Sequence, residues 1–334
     1  MNDLEKMLQL NIDDIEPMEV SPIKKKQVLR NIIKQKKRRP LRYAIAAALL
    51  ACGIGASMAA LSPTIASQIP IVKNVVDYFN GESTQFIYFD EYATVISSME
   101  TSNDTTIEIA DAIYDGTNVT ITLSIKSEKD LGKQPVFWNP IETNGIIEGG
   151  GVTSMKKVAD KTYAAVMTIT PDFKGRSPRT VKLSWTPGSL WDPDTDLIVE
   201  GDWSFKFKLK KIHVEKIHAG YSETKEEFSL KIPSIDVTGY TINVPFEIEL
   251  PSKYSYFFLP GIELEAKDEF GNPYEMITNG GSSSNRQRDV EGSYTFANLQ
   301  NGAEKLILTP KLITEKEEIQ FEPFTVNIPE EYRK

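Results

Sequence analysis

The sequence predicts a mainly β protein in which a single transmembrane helix is followed by two β-sandwich extracytoplasmic domains. Three observations carry this. Residues 43–61 hold no charge and no proline, basic residues crowd on one side of that run, and past residue 82 the apolar period changes to two.

The run from Tyr43 to Leu61 reads YAIAAALLACGIGASMAAL, 19 residues. As a helix it reaches about 28 Å, close to the roughly 30 Å of bilayer hydrocarbon. Lys34, Lys36, Lys37, Arg38, Arg39 and Arg42 precede it, with Lys36, Lys37, Arg38, Arg39 and Arg42 as the nearest anchors, and the other flank is uncharged from Ser62 to Lys73. Cations stay on the inner side, which puts the N-terminus in the cytoplasm and the chain beyond about residue 62 outside. The expected location is the cell membrane, with a single pass. A cleaved signal peptide needs a far shorter basic region than the 42 residues here. Leu49-Leu50-Ala51-Cys52 has the outline of a lipid-attachment box, but the apolar run continues well past the cysteine, so a membrane-buried Cys52 is the simpler reading. Cys52 is also the sole cysteine, so the β region has no disulfide available.

Charge divides at the same place. Residues 1–42 carry 11 Lys/Arg against 6 Asp/Glu, a net of +5, and the remaining 27 and 41 give -14, which together make the chain's -9. Within the tail, Leu4, Leu8, Ile12 and Ile15 fall on one side of a first helix, ended by Pro17. Ser21-Pro22 then starts a second, on which Val28, Leu29, Ile32 and Ile33 share a face. Neither stripe is long enough to build a core. Each must meet a partner protein or lie on membrane lipid; the acidic first stripe favours a protein, and the basic second gains about 1 kcal/mol per cation near anionic lipid. The basic run has no interleaved aromatics, so topology accounts for it without nucleic acid.

Residues 62–82 form a juxtamembrane linker whose IVKNVVDYFNG has helical spacing. Alternation then marks NVTITLSI at 118–125 and WSFKFKL at 203–209 as half-buried antiparallel strands. Further strands are expected at 85–90, 105–113, 162–169, 179–185, 226–232, 243–250, 261–267, 292–297, 304–309 and 319–327. Asp115-Gly116, Phe270-Gly271-Asn272-Pro273 and Asn301-Gly302 mark turns between them. A boundary near 211–218 divides the region into 83–212 and 213–334. No sequence repeat relates the two parts.

Chemical motifs are sparse. With only His213 and His218, histidine triads and multi-histidine metal sites lack material. Asp192, Asp194 and Asp196 in WDPDTD begin like a calcium loop, but Leu197 stands where glycine is needed and Trp203 where a bidentate glutamate is needed, so a solvated acidic loop is the better expectation. Residues 280–285, GGSSSN, read as a flexible loop with no phosphate-binding lysine. No catalytic group and no cofactor is expected.

The order of parts carries a resemblance. KKRRPLR before an Ala-rich span, SPTIASQIPIVKNVVDYFNG after it, then DGTNVTITLSI and GDWSFKFKLKK resemble Firmicutes membrane proteins that carry the domain of unknown function numbered four-one-seven-nine, followed by a second, immunoglobulin-like β domain. The resemblance implies an anti-sigma-factor-like regulator: the tail holds an extracytoplasmic-function sigma factor, and the outer domains sense an envelope signal through an unidentified extracellular ligand. Zinc-type anti-sigma domains use one His and two Cys, and residues 1–42 contain neither. Sigma-factor contact would therefore run through the Leu4–Ile15 and Val28–Ile33 stripes. Two rival readings stand beside it: a surface protein that binds cell-wall polymer, ligand or protein, and an exported hydrolase, which would require converging carboxylates in the β region.

Overall fold

The computed structural model describes residues 71–334, apart from 73, 81–82, 138, 146–148, 174, 252–260, 285–288 and 315–317. The expected tail helices, the anchors Lys36 to Arg42 and the expected span at 43–61 lie outside the described residues. Among those described, no helix is long and apolar enough to cross a membrane.

The described chain is mainly β. Its first half contains β1 (Thr94–Ser102), β2 (Thr105–Tyr114), β3 (Val119–Ser127), β4 (Val136–Phe137), β5 (Glu142–Thr143), β6 (Gly149–Ala159), β7 (Thr162–Pro171), β8 (Thr180–Trp185), β9 (Ser189–Asp192), β10 (Leu197–Glu200) and β11 (Phe205–Lys210). An antiparallel sheet runs β1-β2-β3-β7-β6, and two smaller sheets run β10-β9-β4 and β11-β8-β5. All three feed one core. Ile107, Ile121 and Leu123 from the large sheet meet Leu183, Trp185, Leu190 and Phe205 from the small ones. Trp203 is fully buried beside β11, its indole N–H satisfied by the Thr105 carbonyl at 2.9 Å.

The second half contains β12 (Glu215–Lys225), β13 (Phe228–Val237), β14 (Thr241–Glu249), β15 (Gly261–Asp268), β16 (Pro273–Tyr274), β17 (Ile277–Ser284), β18 (Asp289–Ala297), β19 (Lys305–Ile313), β20 (Glu318–Gln320) and β21 (Phe324–Asn327). Its large sheet runs β12-β13-β14-β18-β17. The other runs β16-β15-β19, with β20 and β21 both paired to β19. Phe228, Ile242, Val244, Phe296, Leu308 and Phe321 lie in the second core.

The two large sheets are built alike. Each begins with a three-strand meander and closes with a later hairpin added in reverse, so that β1-β2-β3-β7-β6 corresponds in order to β12-β13-β14-β18-β17. The likeness extends to single residues. The first hairpins turn over Asn103-Asp104 (φ 46 and 57) and Glu226-Glu227 (φ 52 and 72), two-residue loops with both residues left-handed. Counted back from those turns, the register breaks at corresponding places, before Ser98 in β1 and before Tyr221 in β12. Left-handed residues, Ser97 (φ 49) and Gly220 (φ 61), occupy the two bulges. Asp115 and Thr238 then cap equivalent turns into β3 and β14, each side chain accepting two backbone N–H groups. The halves thus form a structural repeat that sequence comparison within the chain does not reveal.

Several sequence expectations need correction. The strand expected at 85–90 is instead a 3-10 turn, Thr84–Phe86, followed by one α-helical turn, Phe89–Tyr92. Phe86 and Phe89 are buried three residues apart, a helical spacing, and Ser83 caps the first turn through its hydroxyl, bonded to the Gln85 amide at 3.1 Å. Among the described residues of 71–81, helix is limited to the 3-10 turn Val75–Tyr78. The stretch expected to be one strand at 319–327 is two, β20 and β21. Gly280 to Ser284, expected as loop, belong to β17, where glycine fits an edge strand pressed against its neighbour: a Cβ on Gly281 would strike the Glu291 carbonyl.

Candidate functional site: a polar sheet face and the seam between the halves

Odd-numbered positions of β14 point away from the second core. Thr241 and Asn243 begin this outward row, and Glu247 and Glu249 end it. On β18, Thr295 lies opposite Asn243, Ser293 opposite Pro245, Glu291 opposite Glu247 and Asp289 opposite Glu249. One face of one sheet therefore changes from hydroxyls and amides at one end to carboxylates at the other.

The first end is covered by the other half. Asn118 donates through Nδ2 to Asn279 Oδ1 and Thr295 Oγ1, both at 3.0 Å, and accepts from Thr170 Oγ1 at 2.6 Å. Asn279 in turn donates to Asn243 at 2.9 Å. Thr241 Oγ1 donates to Asp115 Oδ2 at 2.7 Å, while Asp115 Oδ1 accepts the amides of Thr117 and Asn118 at 2.8 and 2.6 Å. Burial pushes the Asp115 carboxyl above its ordinary range, and these hydrogen bonds offset only part of that shift. The seam is thus buried yet polar, which fixes register through bond geometry.

The other end carries the carboxylates. Glu247 faces Glu291 and Glu249 faces Asp289 across β14 and β18, with Lys231 opposite Glu247 on β13. These residues and Ser229 line a hollow of about 270 Å³. Four carboxylates and one ammonium give the lining a net of -3. Directly opposed like charges cost stability in a sheet, roughly 0.2–1 kcal/mol per pair. Glu247, Glu249 and Glu291 are exposed, so the hollow provides no dry cleft for acid–base catalysis. Among the described residues no group of three or more His, Cys, Asp or Glu is arranged to hold a metal ion. What the lining offers is attraction for a cation-bearing ligand.

A second covering lies on the first half. Val75, Val76 and Phe79 pack with Ile113, Ala164 and Val166, and Phe89 and Tyr240 complete the same apolar cluster. This explains why β3 is buried on both faces: Thr120, Thr122 and Ser124, on the side away from its own core, lie beneath this cover. Glu108, 4% exposed, accepts the Ile71 amide at 2.9 Å and the Ser124 hydroxyl at 2.7 Å.

The residues singled out by sequence do not build this site. Asp192 is buried at the end of β9, where its carboxylate accepts the Asp194 amide and the Thr195 hydroxyl, while Asp194 and Asp196 are exposed. Asp192 thus serves the turn into β10, and the three carboxylates do not assemble a calcium loop. His213 Nδ1 is bonded to the Tyr332 hydroxyl and its ring stacks on that tyrosine, while His218 lies in β12 next to the bulge. The tail stripes Leu4, Leu8, Ile12, Ile15 and Val28, Leu29, Ile32, Ile33 lie outside the described residues. Sequence reasoning missed the acidic hollow, whose signal, Glu-x-Glu at 247–249 and Asp-x-Glu at 289–291, becomes meaningful only once β14 and β18 are known to pair.

Residues 36–127 match the model of a domain of unknown function, DUF4179. That match runs through residues 71–93 and ends with β3. Residues 205–328 match a family of unknown function, DUF5643. It starts at β11, which pairs with β8 of the first half, one strand before the boundary expected near 213. Among solved structures, the crystal structure of the conserved domain protein from Bacillus anthracis is similar over 78% of this chain and 100% of its own, with a TM-score of 0.68 and 23% identity. The likeness is one of fold. No curated protein matches.

Proposed function

We propose that this chain is a membrane-anchored, anti-sigma-factor-like regulator of Firmicutes type. Its cytoplasmic tail binds an extracytoplasmic-function sigma factor through the Leu4–Ile15 and Val28–Ile33 stripes. An uncharged helix at 43–61 crosses the membrane, and two immunoglobulin-like β-sandwiches outside sense an envelope signal. The observation that carries this reading is the separation of charge, +5 before the uncharged run and -14 for the rest. Further support is that Val75, Val76, Phe79 and Phe89, which precede the first strand, pack into the β region. A rearrangement outside therefore has a route to the anchor. The test is co-purification of the full chain with the sigma factor encoded beside it. Capture that is lost when Leu8 and Ile32 are both replaced by Asp supports the proposal, and no capture by the unaltered chain removes it.

A second reading is favoured by the acidic hollow. A surface protein that holds a cationic ligand has a reason to keep Glu247 opposite Glu291. The two readings are compatible if that ligand is the sensed signal.

A further inference from the structure

We propose that the described residues between 71 and 93 form a releasable strap, docked only while the two β halves keep their present angle, so that a change in that angle frees the chain at the end nearest the anchor. The inference goes beyond the proposed function, because it holds whatever the tail binds.

The strap has two feet on different halves. The first is Val75, Val76 and Phe79, packed with Ile113, Ala164 and Val166 of the first half. It is held also by Lys156, whose ammonium lies 5.0 Å from the Phe79 ring centroid and donates to the Tyr78 carbonyl at 3.0 Å. The second foot stands on the other half. There Ser83 donates to Glu275 at 2.6 Å and Tyr88 to the Leu299 carbonyl at 3.3 Å. Phe89, fully buried, meets the Tyr240 ring edge-on at 6.0 Å. Lys334 bonds Glu91 and Tyr92, both at 2.7 Å. The chain then returns to the first half as β1.

Two kinds of force thus hold one junction. The seam around Asn118 and Asp115 is made of hydrogen bonds, which water can replace at small net cost. The strap buries apolar side chains, which water cannot compensate. With one foot on each half, the strap fits a single relative placement, and a shift between halves lifts one foot. By reciprocity, loosening the seam must loosen the strap and loosening the strap must loosen the seam.

The test is hydrogen–deuterium exchange on the full chain in detergent micelles. Reporters for the strap are the amides of Phe79 and Asn80, bonded to the Val76 carbonyl, and of Ala93, bonded to that of Phe89. The seam reporter is the Asn118 amide, bonded to the Asp115 carboxylate that Thr241 of the other half also bonds. Asn118→Ala, which cuts the seam without touching the strap, should speed exchange at the strap reporters roughly 10-fold while the centres of β3 and β19 stay protected. Phe89→Ala should speed the Asn118 amide in turn. Thr241→Val, which removes the hydroxyl's bond to Asp115 across the seam and keeps the shape, gives the same pattern more weakly and replaces Asn118→Ala if that variant does not fold. Unchanged strap exchange in both seam variants overturns the proposal, and so does acceleration of every strand together.

Discussion

Thr241 donates its hydroxyl to Asp115 across the seam at 2.7 Å, and the two residues belong to equivalent turns of the two halves. Asp115 caps the turn into β3, as Thr238 caps the turn into β14 that ends at Thr241. The repeat therefore meets itself at this bond. A carboxylate in one copy and a hydroxyl in the other make the contact complementary, where two carboxylates would repel.

This placement gives a pH dependence with a definite sign. Burial, only partly offset by the Asn118 and Thr117 amides and the Thr241 hydroxyl, raises the folded-state pKa of Asp115. A carboxyl that holds its proton more tightly in the folded chain stabilises folding less as pH climbs from the ordinary carboxylate value through the raised one. Asp115→Asn keeps the shape and removes the titration. The difference in urea midpoint between the two proteins should therefore shift in favour of Asn between about pH 4 and about pH 7. Asp115→Ala, which loses the cap, should cost roughly 1–3 kcal/mol at either pH.

Glu226 and Glu227 both occupy left-handed backbone, at φ 52 and 72, with no glycine to relieve the strain. Replacing the pair by Asn-Gly should raise stability by about 1 kcal/mol, read as a higher thermal midpoint. A lower midpoint would show that these side chains do more for the hairpin than its backbone costs.

Gly239 sits where a Cβ would collide with the Tyr92 hydroxyl. Gly239→Ala should cost about 1–3 kcal/mol by overpacking, and the strap amide of Ala93 should lose protection first. If all strands lose protection together instead, Gly239 supports the whole fold rather than the strap.

The β character and most central strands were legible because their period of two survives in the sequence: β2, β3, β7, β14 and β15 fall close to where alternation places them. The edge strands β1, β6, β12 and β17 were not. Bulges at Ser97 and Gly220 break the period, and the glycines at 149–151 and 280–281 mimic loop composition. The strap was misread for a related reason, since Phe86 and Phe89 pack on partners far away in sequence and short apolar runs do not distinguish strand from turn. The acidic hollow was invisible because its carboxylates become neighbours only through strand pairing.

In that hollow, Glu291→Gln removes one of two opposed carboxylates and leaves Glu247 opposite Lys231. It should stabilise the fold by about 0.5 kcal/mol. It should also weaken binding of an oligolysine probe, measured by calorimetry at low salt, with affinity falling as salt rises. Undiminished binding by the variant would show that the hollow does not hold the cation.

The central claim is that one uncharged helix separates an inner tail from an outer β region. Tags on Met1 and Lys334 of the full chain, followed by protease treatment of intact cells, test it most directly. The account predicts that the Lys334 tag is digested while the Met1 tag survives until the cells are broken. Digestion of the Met1 tag on whole cells, or survival of both tags, contradicts it.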